Sequence, residues 1–237
     1  MSNHTMKAFD AELRAVRRKV GEMGGLAEWQ IAMAVDAFVR CDIGLAQRVI
    51  DVDRLVDDLQ REIEQISIVT IARRQPMAVD LREIVGALRI ANDLERIGDL
   101  AKNTAKRALA LQREGLPAQT MRGVRHMTEL VLSQLNEVLD SYVRHDVAKA
   151  LMVRKGDQEI DTMNNSLFCE VFAYMRANRH KIALCTHLLF CAKNIEREGD
   201  HATNIAETVH YIVEGRPLLD ERPKADRTSD ILAPLAI

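Results

Sequence analysis

Apolar residues recur at spacings of three and four over long stretches of the chain, as in Leu55, Leu59, Ile63 and Ile66 and again in Leu130, Leu135, Val138 and Leu139. This is the stripe of an amphipathic helix, not the alternation of a half-buried strand. Turn-forming clusters interrupt the periodicity at Asp42-Ile43-Gly44, Arg73-Arg74-Gln75-Pro76, Glu114-Gly115-Leu116-Pro117, His145-Asp146, Asn178-Arg179-His180 and Gly215-Arg216-Pro217. The pattern predicts about six helices of roughly 30 residues, each about 45 Å long. Connections this short force neighbours antiparallel, so each run of three should fold up-down-up. Gly21, Gly24 and Gly25 predict a kink or interruption in the first helix.

Composition agrees with an all-α chain. Of 237 residues 47% are hydrophobic and only 4% aromatic, with 5 Pro and 11 Gly, so straight-chain helix formers dominate and a real core can form. The 33 Lys plus Arg nearly balance 35 Asp plus Glu, a net charge of −2, which leaves no long-range electrostatic footprint for nucleic acid. The densest apolar run, Ile182–Ala192, is about half the length of a membrane span and contains His187. Met1–Asp10 shows no apolar signal segment. Cys41, Cys169, Cys185 and Cys191 include no CxxC pair and read as structural thiols in a reducing compartment. A cytoplasmic protein is expected.

An internal repeat sets the architecture. Leu88–Arg107 (LRIANDLERIGDLAKNTAKR) aligns without gaps on Leu189–Thr208 (LFCAKNIEREGDHATNIAET), sharing ER-x-GD-x-A-x-N. Upstream, Val39-Arg40-Cys41-Asp42 matches Val143-Arg144-His145-Asp146, and Asp53 and Asp57 match Asp157 and Asp161. Two matching segments in the same order imply duplication of a three-helix unit. The chain therefore reads as two tandem three-helix bundles, residues 6–115 and 118–215, followed by a loosely ordered tail, 216–237, that holds 3 of the 5 prolines.

The repeat carries the candidate chemistry. Positions four apart share a helix face, so Glu95, Asp99 and Asn103 form one acidic stripe and Glu196, Asp200 and Asn204 another; Asp53 with Asp57 and Asp157 with Asp161 make matching pairs on the middle helices. Like charges at this spacing are unfavourable by a few tenths of a kcal/mol, so their recurrence needs compensation. A bound hard cation such as Mg, Ca, Mn or non-haem iron would supply it; so would a solvated face neutralised by Arg54, Arg96 and Arg197. Gly98 and Gly199, beside the carboxylates, imply close approach of either a packed helix or a ligand.

These residues resemble a known family. The ExxxD segments LERIGDLAKNTAK and IEREGDHATNIAE, each preceded by DxxxD in a duplicated unit, look like PhoU, a bacterial phosphate-signalling regulator, over nearly the whole chain to Gly215. The resemblance implies two three-helix bundles, a homodimer, and iron or zinc clusters on the acidic motifs, with Mg or Mn as further options. Carried over by position, the ligands would be Asp53, Asp57, Glu95 and Asp99 in one bundle and Asp157, Asp161, Glu196 and Asp200 in the other, with Asn103 and Asn204 weaker. It also implies a negative regulator of the phosphate response and of uptake, linking a Pst transporter through its PstB-type ATPase to a PhoR-type sensor kinase, with membrane association only through those partners. Glu198 stands where the family usually has an apolar residue and would make the second site more acidic; Leu100 and Lys106 depart in a way that would weaken the first.

Two other readings compete. Glu198-x-x-His201 and Glu207-x-x-His210 have the ExxH spacing of di-iron bundles, but both lie on one helix and the first repeat has no counterpart. With no phosphate loop, GxSxG elbow or HExxH, enzymatic activity is not expected. A helical scaffold whose carboxylates bind no metal is the second.

Overall fold

A computed structural model describes residues 2–110, 118–220, 222 and 224–226, with side chains for 9–110, 120–220, 222 and 224–226. Among these the chain forms six long helices: α1 (Ser2–Arg40), α2 (Ile43–Arg74), α3 (Val79–Ala110), α4 (Ala118–Arg144), α5 (Val147–Ala177) and α6 (Ile182–Glu214), the last preceded by a 3₁₀ turn, Arg179–Lys181. The described residues contain no strand. The break expected at Glu114–Pro117 lies outside the described residues.

The repeated turns show why the helices end where they do. Asp42 and Asp146 sit in extended conformation and cap α2 and α5, accepting hydrogen bonds from the N–H of Leu45 (2.9 Å) and Lys149 (3.0 Å). Each is preceded by a left-handed residue, Cys41 (φ 53°) and His145 (φ 56°). The Asp42 N–H then reaches back to the Ala37 carbonyl and the Asp146 N–H to that of Ser141, closing α1 and α4 in the same way.

Helices α1–α3 pack as one bundle and α4–α6 as the other, joined by α3 against α6 and α1 against α4. Both contacts are antiparallel. Along α3 and α6, Gly86 meets Ile212, Asp93 meets His201, Thr104 meets Asn194 and Arg107 stacks over Phe190, so numbers rise on one helix as they fall on the other. Between α1 and α4, Gly24 meets Leu139 and Asp36 pairs with Arg125 at 3.2 Å. Phe38, Ile63, Ile90 and Leu94 share one continuous apolar cluster with Met127, Leu135, Ile160 and Cys191, each side chain contributing about 1.5–3 kcal/mol on burial. Helices α2 and α5, each contacting only its own bundle among the principal packings, flank this centre.

The glycines of α1 do not interrupt it. The helix is continuous through them, and Gly24 admits Leu139, whose Cδ1 lies 2.5 Å from where a Cβ would stand. Gly86 does the same for α3 on α6: an added Cβ would lie 2.4 Å from both Cγ1 and Cδ1 of the buried Ile212. Gly86→Ala should therefore cost about 1–3 kcal/mol in urea denaturation. Gly25→Ala, with nothing within 4 Å of the new Cβ, should instead gain about 0.5–1 kcal/mol.

Candidate functional site: two acidic grooves

Helices α2 and α3 face each other along the first acidic stripe, and α5 and α6 along the second. In the first groove Lys102 Nζ lies 2.5 Å from Asp53 Oδ2 and 2.5 Å from Asp99 Oδ1, bridging the two helices. Asp53, 5% exposed, also accepts a 3.4 Å hydrogen bond from Gln30 Nε2 of α1. Burial lowers the proton affinity of Lys102, but its bonds to Asp53 and Asp99 outweigh this and hold it charged. Burial raises Asp57 and Glu95 above the usual carboxylate range, and neighbouring carboxylates push them further: Asp53 and Asp99 for Asp57, Asp99 and Asp57 for Glu95. The four acids thus gather within electrostatic reach of one another. Arg96 adds local contacts to Glu95 (3.5 Å) and Asp99 (3.8 Å).

In the second groove the cation that bridges the two helices is not local. Residue 102 of the first repeat aligns with Thr203, whose hydroxyl only reaches Asp157 Oδ1 at 3.4 Å. The bridging charge comes from the tail: Arg222 Nη2 donates to Asp157 Oδ2 and to Asp200 Oδ1, both at 2.6 Å, and Nε donates to Asp157 Oδ2 at 3.1 Å. The Ala225 N–H donates to Asp161 Oδ2 (2.7 Å), and Lys193 Nζ joins Glu196 Oε1 to Asp226 Oδ2, each at 2.8 Å. Asp157 and Glu196 are both nearly fully buried; burial raises both, with Arg222 and Lys193 opposing.

The remaining sequence candidates part from the grooves. Asn103 is exposed, while Asn204 turns to the other bundle and donates to Asp93 Oδ1 at 3.3 Å. Eight residues advance a helix by about 80° beyond two full turns, enough to carry Asn204 off the Glu196 face. His201 makes the same turn, its Nδ1 lying 2.9 Å from Asp93 Oδ1. Glu198 does not add to the second groove. Two positions from both Glu196 and Asp200, it points to the far side of α6, where it is 1% exposed and its Oε2 has no hydrogen-bond partner among the described residues. The aligned residue of the first repeat, Ile97, is buried core, and that alignment marks the position as interior. Glu207 pairs with Arg154 at 3.1 Å, so neither ExxH pair forms a ligand set. Gly98 and Gly199 serve helix packing, against Gln30 and Val56 in one bundle and Ile160 and Val131 in the other.

The donor chemistry suits a hard cation, but the arrangement does not fit a metal ion. Among the described residues no three His, Cys, Asp or Glu side chains converge on a common ligand position. Lys102 and Arg222 themselves bridge the carboxylates of the facing elements. Lys102, three residues after Asp99, was within reach of sequence reasoning as an i, i+3 pair; Arg222, 65 positions from Asp157, carried no local signal.

A family model for the PhoU domain matches residues 20–108 and 124–209, one match per bundle. The chain belongs to the PhoU family. It is 54% identical over 228 residues to a Rhizobium meliloti protein named phosphate-specific transport system accessory protein PhoU homolog, covering 96% of each. A Caulobacter vibrioides relative of the same name is 46% identical over 95% of this chain and 98% of its own. The crystal structure of PhoU from Pseudomonas aeruginosa superposes with a TM-score of 0.83 at 38% identity, over 88% of this chain and all (100%) of that one. The phosphate transport system regulatory protein PhoU from Streptococcus pneumoniae gives 0.82 at 27% identity, over 89% and 99%. The all-α fold of two repeated bundles is that of the family, and PhoU proteins are accessory regulators, not enzymes. No described helix is long and apolar enough to cross a membrane.

The buried carboxyl of Glu198 gives a pH test. Burial alone holds it well above the usual carboxylate range. Its folded value exceeds its unfolded one, so the associated stability is fully present below about pH 4 and is lost as pH rises through the folded value. Glu198→Gln should therefore melt like the unchanged protein near pH 4 and exceed it by about 1–3 kcal/mol at neutral pH. Thermal melts across that range check this.

Proposed function

We propose that the chain is a negative regulator of the phosphate response and of phosphate uptake. It works in the cytoplasm as a homodimeric adaptor between a Pst-type transporter, through its PstB-type ATPase, and a PhoR-type sensor kinase. The observation that carries this reading is the near full-length likeness to accessory proteins of phosphate-specific transport, at up to 54% identity over 96% of the chain. The fold supports it in kind: long rigid helices present extended faces, and the chemistry at the grooves is charge pairing. A protein of this construction acts by changing what it touches.

In a strain lacking the gene and grown in phosphate-rich medium, alkaline phosphatase activity should be high and uptake unrestrained. Low phosphatase with raised uptake would leave a transport regulator that acts apart from the kinase. No change in either would overturn the regulatory reading.

The expected iron or zinc clusters enter this reading only in exchange for the protein's own cations. Lys102 and Arg222 already bridge the acids, and this favours a second reading, an adaptor that needs no metal. Metal analysis of protein purified without a metal-affinity tag separates the two. If iron or zinc binds, replacing Glu95, Asp99, Glu196 and Asp200 by Ala should remove it while the helical circular dichroism persists. Negligible metal in the unchanged protein leaves the metal-free adaptor standing.

A further inference from the structure

The tail does not merely lie on the second bundle. Gly215, at φ 73°, turns the chain off the end of α6, and Arg154 Nη2 holds the Asp220 carbonyl at 2.6 Å. Beyond it, each described residue makes a specific contact. Arg222 forks across Asp157 and Asp200, and Lys224 Nζ stands 3.6 Å from Asp200. Ala225 donates its N–H to Asp161 and accepts at its carbonyl from Asn165 Nδ2, both at 2.7 Å, and Asp226 takes Lys193. None of these tail residues has regular secondary structure. Side chain and main chain are read in turn along a segment lying between two helices, which is how a groove recognises a peptide.

The fit is incomplete. Glu196 Oε2 and Asn164 Nδ2, both in nearly fully buried side chains on the helices lining the groove, have no hydrogen-bond partner among the described residues. An unmet acceptor and an unmet donor are what a better-matched segment would satisfy. In the first groove the place of Arg222 is taken by Lys102, which pairs with Asp53 and Asp99 from within the bundle.

We propose that the groove between α5 and α6 is a recognition site for an extended, arginine-bearing protein segment, filled in cis by Arg222 and residues 224–226 as an internal competitor. A partner gains access by presenting an arginine that displaces Arg222 from Asp157 and Asp200. The short connection from Glu214 makes the internal segment effectively concentrated, on the order of millimolar, so a dilute segment in solution competes poorly. The inference stands on these contacts and does not depend on the phosphate reading.

The test is a fluorescent peptide with the sequence of residues 216–229, followed by anisotropy on the full-length chain. Arg222→Ala, which frees the groove, should bind it at least about tenfold more tightly than the unchanged chain. Adding Asp157→Asn or Asp200→Asn to that variant should undo the gain. A peptide in which the arginine of position 222 is alanine should bind neither chain, a control that leaves the fold untouched. Salt should weaken binding, since the contacts are charged. Equal binding of the peptide to the unchanged and Arg222→Ala chains would overturn the proposal, as would binding indifferent to Asp157, Asp200 and the peptide arginine. A dimer that dissociates on Arg222→Ala would place the segment in a second copy and overturn the cis occupant.

Discussion

How closely α3 can lie against α6 governs the rest of the molecule. Gly86 removes the one side chain that would strike Ile212, and with the helices in contact the polar groups between them find partners: Asp93 with His201 and Asn204, Thr104 with Asn194. At the two ends of the interface an arginine lies over an aromatic ring, Arg89 on Tyr211 (5.0 Å) and Arg107 on Phe190 (4.1 Å). Because α3 and α6 each also carry the acidic motif of their bundle, this one contact fixes where both grooves open. The grooves lie between α3 and α2 in one bundle and between α6 and α5 in the other.

Duplication gave the two grooves the same acids, but their counterions differ. The decisive difference is a single aligned position, Lys102 in the first repeat and Thr203 in the second. Lysine three residues beyond Asp99 can bend back to bridge the two helices, whereas threonine cannot, so Asp157 and Asp200 draw their bridging charge from Arg222 of the tail while Lys193 serves Glu196 from α6 itself. The consequence shows in burial: Asp161 and Glu196 are nearly fully covered, while their counterparts Asp57 and Glu95 remain partly open. One groove is self-contained and the other is closed by a visitor.

Much of this was legible in the sequence, for reasons that are local. The apolar periodicity of Leu55, Leu59 and Ile63 is a property of one helix, and the capping turns at Asp42 and Asp146 lie within a few residues of what they cap. The register of Glu95 with Asp99 is equally local. What stayed hidden depends on distant partners. Nothing near Arg222 announces Asp157, and glycine at 24 reads as a helix breaker until Leu139 is seen filling the gap. Asn204 was placed with Glu196 by counting in fours, a rule that drifts over two turns. Glu198 was placed in the groove by charge, although its counterpart Ile97 marked it as core.

The turns at Cys41 and His145 carry a lesson about ancestry. A thiol and an imidazole differ in size and shape, and neither is the glycine that a left-handed backbone favours, yet they hold φ at 53° and 56° and lead into aspartates whose dihedrals agree within a few degrees. What the two halves have inherited in common at this point is the path of the main chain. Only the residue at the left-handed position has diverged, between a Val-Arg shared by both repeats and the capping Asp, so one backbone corner accepts either side chain without moving the cap.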